Sequence, residues 1–305
     1  GPWLRAGLAA GLAVRRARAA CASAARVVPS LAAIVRYDTL RRSRNLAALG
    51  IHTGHGFQRG REFDRLREYH VDDDYRDVDW KATARRDRPI TRVFRPERSQ
   101  DVIVAVDCSR VMTARAGGLS KLDEAVNAAL VLAHVVTQGG DRAGLAVFDA
   151  ELRAWQAPRS GGLAVQAALD TLYDVSPSVS DASFQALATA LAARQTRRAL
   201  VVILTDLPDA VAGAELVRCL PLLRRRHLVA CFTTSDRAVT AMAEAPPADA
   251  RGLARAIAAA ELLEEKRRAR RRVTDAGAFC QELPPGALAA HAVNRYLDAK
   301  TRGLL

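Results

Sequence analysis

The apolar positions of this chain fall into two regimes, with a border near residue 100. Beyond it, short unbroken apolar runs alternate with longer segments of helical period. Val102-Ile103-Val104-Ala105-Val106 and the run Ala199 to Leu204 contain no polar residue, as expected of strands covered on both faces. Gly144 to Phe148 and Leu228 to Phe232 read the same way. Leu152 to Trp155 predicts a hairpin partner for the first of these, turning at Asp149-Ala150. A helix is predicted over 121–137, apolar at Leu122, Val126, Ala129, Leu130 and Ala133. Others are predicted at about 162–173, 183–194, 210–225 and 236–243, with a long charged one at 250–271. A strand at 273–279 and a helix from Pro285 to about Lys300 complete the series. Strands alternating with helices predict an α/β fold, a doubly wound, mostly parallel sheet with helices on both faces.

Before the border the pattern is different. Residues 1–49 read as an incomplete tail followed by a helix, with Leu31, Ile34, Val35, Leu46 and Leu49 on an Arg-rich background. A Gly/His loop follows at 50–62, where His52 and His55 lack a third ligand nearby. Residues 50–98 read as a small charged N-terminal lobe packed on a main domain of 99–305, which ends in a helical extension. In this lobe both signs of charge are interleaved with Phe63, Leu66, Tyr69, Trp80 and Phe94. That mixture predicts buried ion pairs, in which Arg67, Arg76 and Arg85 neutralise Asp73, Asp74 and Asp79. Trp80 is predicted as the core plug of the lobe. No nucleophile–base–orienter set accompanies Glu68, Lys81 and their neighbours, so the lobe reads as structural or partner-binding.

Composition narrows the function classes. Lys and Arg total 46 against 33 Asp and Glu, a net charge of +13. Arg is dispersed over nearly every predicted helix, and aromatics are 5% of the chain, which argues against a nucleic-acid groove. Five cysteines without a C-x-x-C pair predict reduced thiols in a cytoplasmic setting. The most apolar N-terminal stretch, Leu4 to Val14, is interrupted by Arg5 and ends at Arg15-Arg16, too short to span a bilayer. The helix over 261–272 places acids first and bases last, with pairs such as Glu264 and Arg268 at i, i+4, and reads as a solvated face.

The candidate chemistry lies after the first buried strand, at Asp107-Cys108-Ser109-Arg110-Val111, and after the later strand, at Thr205-Asp206. In open parallel sheets ligands bind at the carboxyl ends of the strands, where strand order reverses. An acid leaving an apolar strand is costly unless paired, capped or metal-bound. If the two strands are neighbours the carboxylates repel, so a cation or backbone N–H groups should sit between them.

This arrangement resembles the metal-ion-dependent adhesion site of von Willebrand factor A domains, D-x-S-x-S plus a Thr from a later loop and a late Asp. Asp107, Ser109 and Asp206 match the motif; Val111 stands where the second serine belongs. The loop that should supply Thr contains Ser180 and Asp181 instead. The resemblance implies a degenerate site for a divalent ion such as Mg²⁺. The alternative is that Asp107 caps the following turn or pairs with Arg110 or Arg115.

A more specific resemblance runs through ordered motifs. These are Arg67-Glu68-Tyr69, Asp73-Asp74-Tyr75-Arg76, Asp79-Trp80-Lys81-Ala82-Thr83-Ala84-Arg85, Pro96-Glu97-Arg98-Ser99 and Lys121-Leu122-Asp123. Gly140-Asp141-Arg142-Ala143-Gly144, Thr205-Asp206-Leu207 and Asn294-Arg295-Tyr296-Leu297 continue them. Together they are similar to the bacterial family called domain of unknown function 58, over about residues 27–305. Val71-Asp72 departs from the Pro-Gly turn of that family. Its members usually carry an N-terminal hydrophobic hairpin and a β-rich segment, so the chain is expected to be a trimmed piece of a longer protein.

The resemblance implies a non-enzymatic protein-binding module. It would act as an adaptor or co-chaperone of a MoxR-type AAA+ ATPase in complex assembly, in the cytoplasm or at the cytoplasmic face of the inner membrane. Two other readings remain from the residues: a Mg²⁺-dependent phosphohydrolase using Asp107 and Asp206, and a basic scaffold lying on an anionic membrane.

Overall fold

The computed structural model describes residues 3–7, 14–18, 32–42, 46–51, 61–70, 73, 75–96, 99–116, 118–207 and 209–305. The chain opens with an antiparallel pair, β1 (Trp3–Gly7) and β2 (Val14–Arg18), where only an irregular tail is expected from the sequence. Helix α1 (Ala32–Arg42) and a 3₁₀ turn over Leu46–Leu49 follow. The charged region contains β3 (Arg61–Glu68), α2 (Trp80–Arg86) and β4 (Ile90–Pro96), with β3 and β4 paired antiparallel. The His52–His55 loop lies outside the described residues.

The main domain then runs through β5 (Asp101–Asp107), the short pair β6 (Arg115–Ala116) and β7 (Leu119–Ser120), and α3 (Lys121–Gln138). It continues through β8 (Arg142–Phe148), β9 (Leu152–Arg159), α4 (Gly162–Tyr173), α5 (Phe184–Arg194) and β10 (Ala199–Leu204). It ends with α6 (Ala210–Arg224), β11 (Leu228–Thr234), α7 (Arg237–Glu244), α8 (Ala250–Asp275), β12 (Phe279–Leu283) and α9 (Leu288–Thr301). The last strand lies later than the sequence pattern suggests. Val273 is the final buried residue of α8, so its apolar character serves a helix face and not a strand.

Six strands form one sheet in the order β12-β11-β10-β5-β8-β9, parallel except for the β8–β9 hairpin. Strand β5 starts in the middle. The chain builds outward through β8 and β9, then returns to β10 on the other side. The order therefore reverses between β5 and β10, and the crevice above that pair is where such sheets bind ligands.

Alternate residues of β5 feed two cores. Val102, Val104 and Val106 pack with α3, α4 and α9, whereas Ile103 and Ala105 pack with α5, α6 and α8. This two-sided burial explains why the strand reads as an unbroken apolar run. The Gly-Asp-Arg-Ala-Gly motif has a structural reason. The Asp141 carboxylate takes the Tyr296 hydroxyl at 2.5 Å and Lys300 Nζ at 2.9 Å, which fastens α9 to the foot of β8. A Cβ on Gly144 would lie 2.9 Å from the Gln156 carbonyl oxygen, so glycine lets β9 close on β8.

Of the ion pairs expected in the lobe, Arg67 with Asp73 is present and half-buried, and the lobe is not built around the indole. Arg67 pairs with Asp73 at 2.5 Å, and the Tyr69 hydroxyl donates to the Asp73 carbonyl. Glu68 pairs with Arg88 at the surface, and the Asp79 side chain caps α2 by accepting from the Ala82 N–H. Trp80 is 70% exposed and plugs nothing. One hairpin and a two-turn helix enclose too little volume for an indole; among the described residues from β3 to β4 the buried positions are Val78, Ile90 and Thr91. Lys81 and Arg85 are exposed, Asp74 lies outside the described residues, and so does the side chain of Arg76.

Helices α6 and α8 meet at Gly213, where an added Cβ would lie 2.8 Å from Ala269 Cβ and 3.0 Å from its Cα. In an exposed helix Gly→Ala would stabilise by roughly 1 kcal/mol. Here overpacking reverses the sign, and Gly213→Ala is expected to lower stability by about 1–3 kcal/mol. Urea unfolding checks this; a raised midpoint would show that the two helices are not in that contact.

Candidate functional site

The site is assembled at the carboxyl ends of β5 and β10, which pair in parallel register from Asp101↔Ala199 to Val106↔Leu204. Asp107 is the last residue of β5 and Asp206 lies two residues beyond β10, so both acids emerge on one rim. Both are buried, at 0% and 5% exposure. No group of three or more His, Cys, Asp and Glu side chains suited to a metal ion occurs among the described residues.

Each carboxylate is already provided with donors. Asp107 Oδ1 accepts from the Ser109 backbone N–H at 2.7 Å, closing the turn that follows the strand. Its Oδ2 accepts from the Thr205 hydroxyl at 2.5 Å. Asp206 Oδ1 accepts from the Leu207 N–H at 3.0 Å. Its Oδ2 receives two ammonium groups, Lys121 Nζ at 2.6 Å and Lys266 Nζ at 2.8 Å. Lys121 is the first residue of α3, and Lys266 comes from the second half of α8. Both lysines are buried, at 1% and 6% exposure.

The local sequence fixes these positions. Ser120 caps α3 through a capping box with Asp123, which sets the start of the helix and so the place of Lys121. Lys266 lies three residues before Ala269, which rests on Gly213. The expected cation is present twice over, but both ammonium groups sit on Asp206, while Asp107 is held by the Ser109 N–H and the Thr205 hydroxyl. Lys266 is therefore not part of a solvated helix face, although Glu264 with Arg267 and Arg268 is.

The other candidates are placed differently. The Ser180 carbonyl accepts from the Arg110 N–H at 2.9 Å, and Ser178 N–H donates to the Cys108 carbonyl, so this loop is sewn onto the Asp107 turn by backbone bonds. The Asp181 carboxylate turns outward to Arg110, an exposed pair at 2.5 Å. The Val111 side chain packs against the core. Ser109 Oγ is buried beside the Asp107 carboxylate without a well-aligned hydrogen bond. Sequence reasoning named Thr205 beside Asp206 and Lys121 within a motif but gave neither of them, nor Lys266, a role in the site. Thr205 was legible as the polar neighbour of Asp206; the two lysines were legible only as residue types with no partner in view.

A divalent ion of the Mg²⁺ kind takes six oxygens at close range. The residues present do not fit that requirement. Of the motif positions, Ser109 Oγ is a hydroxyl free of a well-aligned protein partner, Val111 stands in place of a second, and every carboxylate oxygen already accepts at least one protein donor. The lysines add a direct electrostatic obstacle. An ion about 4 Å from one ammonium would meet roughly 8 kcal/mol of repulsion at an effective dielectric constant of ~20.

On the other side of the Asp107 turn is a depression of about 450 Å³, lined by Cys108, Asp149, Arg153, Asp174 and Ser178 among others. Burial pushes the Cys108 thiol up to about 11, with Asp149 and Asp107 adding to it, so this thiol stays protonated at neutral pH.

The two acids titrate in opposite senses. Burial pushes the Asp107 carboxyl up to about 6; the Thr205 and Ser109 hydrogen bonds offset part of that, and Asp206 adds to it. Burial also pushes Asp206 up, but Lys266 and Lys121 outweigh it and hold this carboxyl below the usual range. A raised folded-state pKa means that ionising Asp107 opposes folding. This cost is absent below about pH 4, grows as pH rises through about 6, and reaches roughly 3 kcal/mol. The Asp206 pairing contributes stability that is present above about pH 4 and lost as pH falls further. Asp107→Asn keeps the acceptor for Ser109 and removes the ionisation. It is expected to match the wild type near pH 4 and to exceed it by about 1–3 kcal/mol at pH 7.5. Chemical denaturation across that range checks this, and a variant less stable than wild type at pH 7.5 would contradict it.

The chain is similar to several solved structures. BatB from Bacteroides thetaiotaomicron is 17% identical, covering 67% of this chain and 100% of its own, at a TM-score of 0.45. A von Willebrand factor type A protein from Catenulispora acidiphila is 14% identical, covering 68% and 43%, at 0.39. The von Willebrand factor A domain of SpRpn10 is 12% identical, covering 65% and 95%, at 0.38. These are likenesses of fold alone. No curated protein matches the chain significantly. A family model described as "Protein of unknown function DUF58" matches residues 65–276, more than half of the sequence, and the chain belongs to that family.

Proposed function

We propose that the chain is a protein-interaction module whose docking face is the carboxyl-end rim of the sheet. In this reading it is an adaptor or co-chaperone for a MoxR-type AAA+ ATPase in complex assembly. It works in the cytoplasm, or at the cytoplasmic face of the inner membrane if a membrane hairpin belongs to the whole protein.

The observation that carries this is how the rim divides its groups. Asp107 and Asp206, the residues with chemical potential, are turned inward and consumed by protein donors. They present no nucleophile and no free base to a substrate, which removes support from a phosphohydrolase built on them. What faces outward is of the recognition kind. Val179, on the loop sewn to the Asp107 turn, is 94% exposed, and Val211, at the start of α6, is 74% exposed. The exposed Arg110–Asp181 pair adjoins them on the same rim. Loops positioned by a rigid sheet carry binding functions disproportionately, and this rim presents such loops to solvent.

The test is retention of the chain by an immobilised MoxR-type ATPase from the same organism, in the presence of a non-hydrolysable ATP analogue. Binding is expected, and Val179→Asp with Val211→Asp should weaken it at least tenfold while leaving the thermal midpoint within about 2 °C, since both are surface positions. Absence of retention with the nucleotide present, or retention indifferent to the two substitutions, removes this reading.

A further inference from the structure

We infer that Lys121 and Lys266 are a built-in replacement for a divalent cation, so that the acid pair at the rim is complete without metal and does not take one up.

Charge is the first ground. Two carboxylates and one divalent ion sum to zero, and so do Asp107, Asp206, Lys121 and Lys266 when all are ionised. Asp206 is buried to 5% exposure, and its Oδ2 has one ammonium at 2.6 Å and another at 2.8 Å. The lysines supply two positive charges from the covalent chain, both delivered to the Asp206 carboxylate. Hydrogen bonding is the second ground: every carboxylate oxygen already accepts at least one protein donor, and Asp206 Oδ2, with two ammonium groups, is filled.

The third ground is the position of Lys121. It is the first residue of α3, where the helix dipole disfavours a cation, and the first turn carries Asp123 and Glu124 as a helix start prefers. A lysine is therefore not placed there for the sake of the helix. It is buried at that end, 1% exposed, and its ammonium meets Asp206. The fourth ground is independent support for Lys266. Its helix is pressed onto α6 at the Gly213–Ala269 contact, less than one turn away, which brings the α8 backbone close enough for Nζ to reach the rim.

The inference concerns the electrostatics of the acid pair, and it stands or falls separately from the identity of the docking partner. Its test is metal response. Mn²⁺ is titrated into the purified chain and followed by electron paramagnetic resonance of free Mn²⁺, with thermal midpoints recorded in Mg²⁺, Mn²⁺ and EDTA. The wild type is expected to leave the Mn²⁺ signal undiminished up to 1 mM, and its midpoint should move by less than about 1 °C between EDTA and 5 mM metal. Saturable wild-type binding that disappears in Asp206→Ala overturns the inference.

The second arm removes the built-in charge with Lys121→Ala/Lys266→Ala. This variant is expected to melt well below wild type in EDTA and to regain at least several degrees in Mn²⁺. The gain should be absent when Asp206→Ala is added. If the double variant is unfolded in EDTA, its folding on Mn²⁺ addition is the same result read by circular dichroism, and Lys266→Ala alone provides a milder form. A folded double variant that ignores Mn²⁺ overturns the inference.

Discussion

The Asp206 carboxylate, set between two buried ammonium groups, is the interaction on which the upper half of this domain depends. It joins three elements that are far apart in sequence: the exit of β10, the first residue of α3 and the second half of α8. Removing one partner from a buried pair of this kind typically costs about 3–5 kcal/mol, because the other charge is left unpaired in a medium of low dielectric. The triad therefore constrains geometry. Helix α3 has to begin at Lys121, α8 has to pass the rim with Lys266 facing inward, and the loop after β10 has to return its acid over the sheet. Against well-packed apolar residues such a cluster need not add stability. Its physical effect is geometric: two ammonium groups from separate helices have to meet at one carboxylate oxygen.

The same constraint separates structural from presented groups at the rim. Backbone bonds from Ser178 and Arg110 attach the 176–183 loop to the Asp107 turn, and Asp107 itself closes that turn. With the acids held below the surface, the loop residues above them are set on a rigid base. Helix α8 extends this arrangement. Its second half is anchored by Lys266, Ala269 and Val273. Its first half packs with α7 and keeps Leu253 and Ile257 about half exposed.

Much of the fold was legible because it rests on local pattern. The unbroken apolar runs of β5 and β10 report burial on both faces, and the alternation with helices reports a parallel sheet; neither depends on knowing which element touches which. The acids at the ends of those runs were legible for the same reason, since a charge leaving a buried strand demands a partner. The partners were not. Lys266 sits among Glu265, Arg267 and Arg268, and nothing local distinguishes the one side chain that points inward from those that point to water. Lys121 likewise reads as the ordinary start of a helix. Trp80 failed in the opposite direction: a large aromatic among charges suggests a core, but a hairpin and a short helix supply too few walls. The displaced last strand arose from Val273, whose apolar side chain fits a helix stripe as well as a strand.

The burial of the lysines also determines what the rim offers a partner. A metal ion in an open adhesion site keeps a coordination position for an outside carboxylate, so the ion is shared between two proteins. An ammonium already bonded to Asp206 and less than a tenth exposed has no such position, and bringing an outside carboxylate to it would require desolvating a third charge beside two others. On the proposed docking face, recognition then falls to the groups above the cluster: the backbone of the 176–183 loop, Val179, Val211 and the Arg110–Asp181 pair. Affinity at such a face comes from shape and from the few apolar contacts that exclude water, with the charged pair setting orientation and encounter rate more than strength. On this account the buried triad contributes to binding only indirectly, by keeping the loops that do the recognising in one arrangement before the partner arrives, so that less ordering entropy is lost on docking.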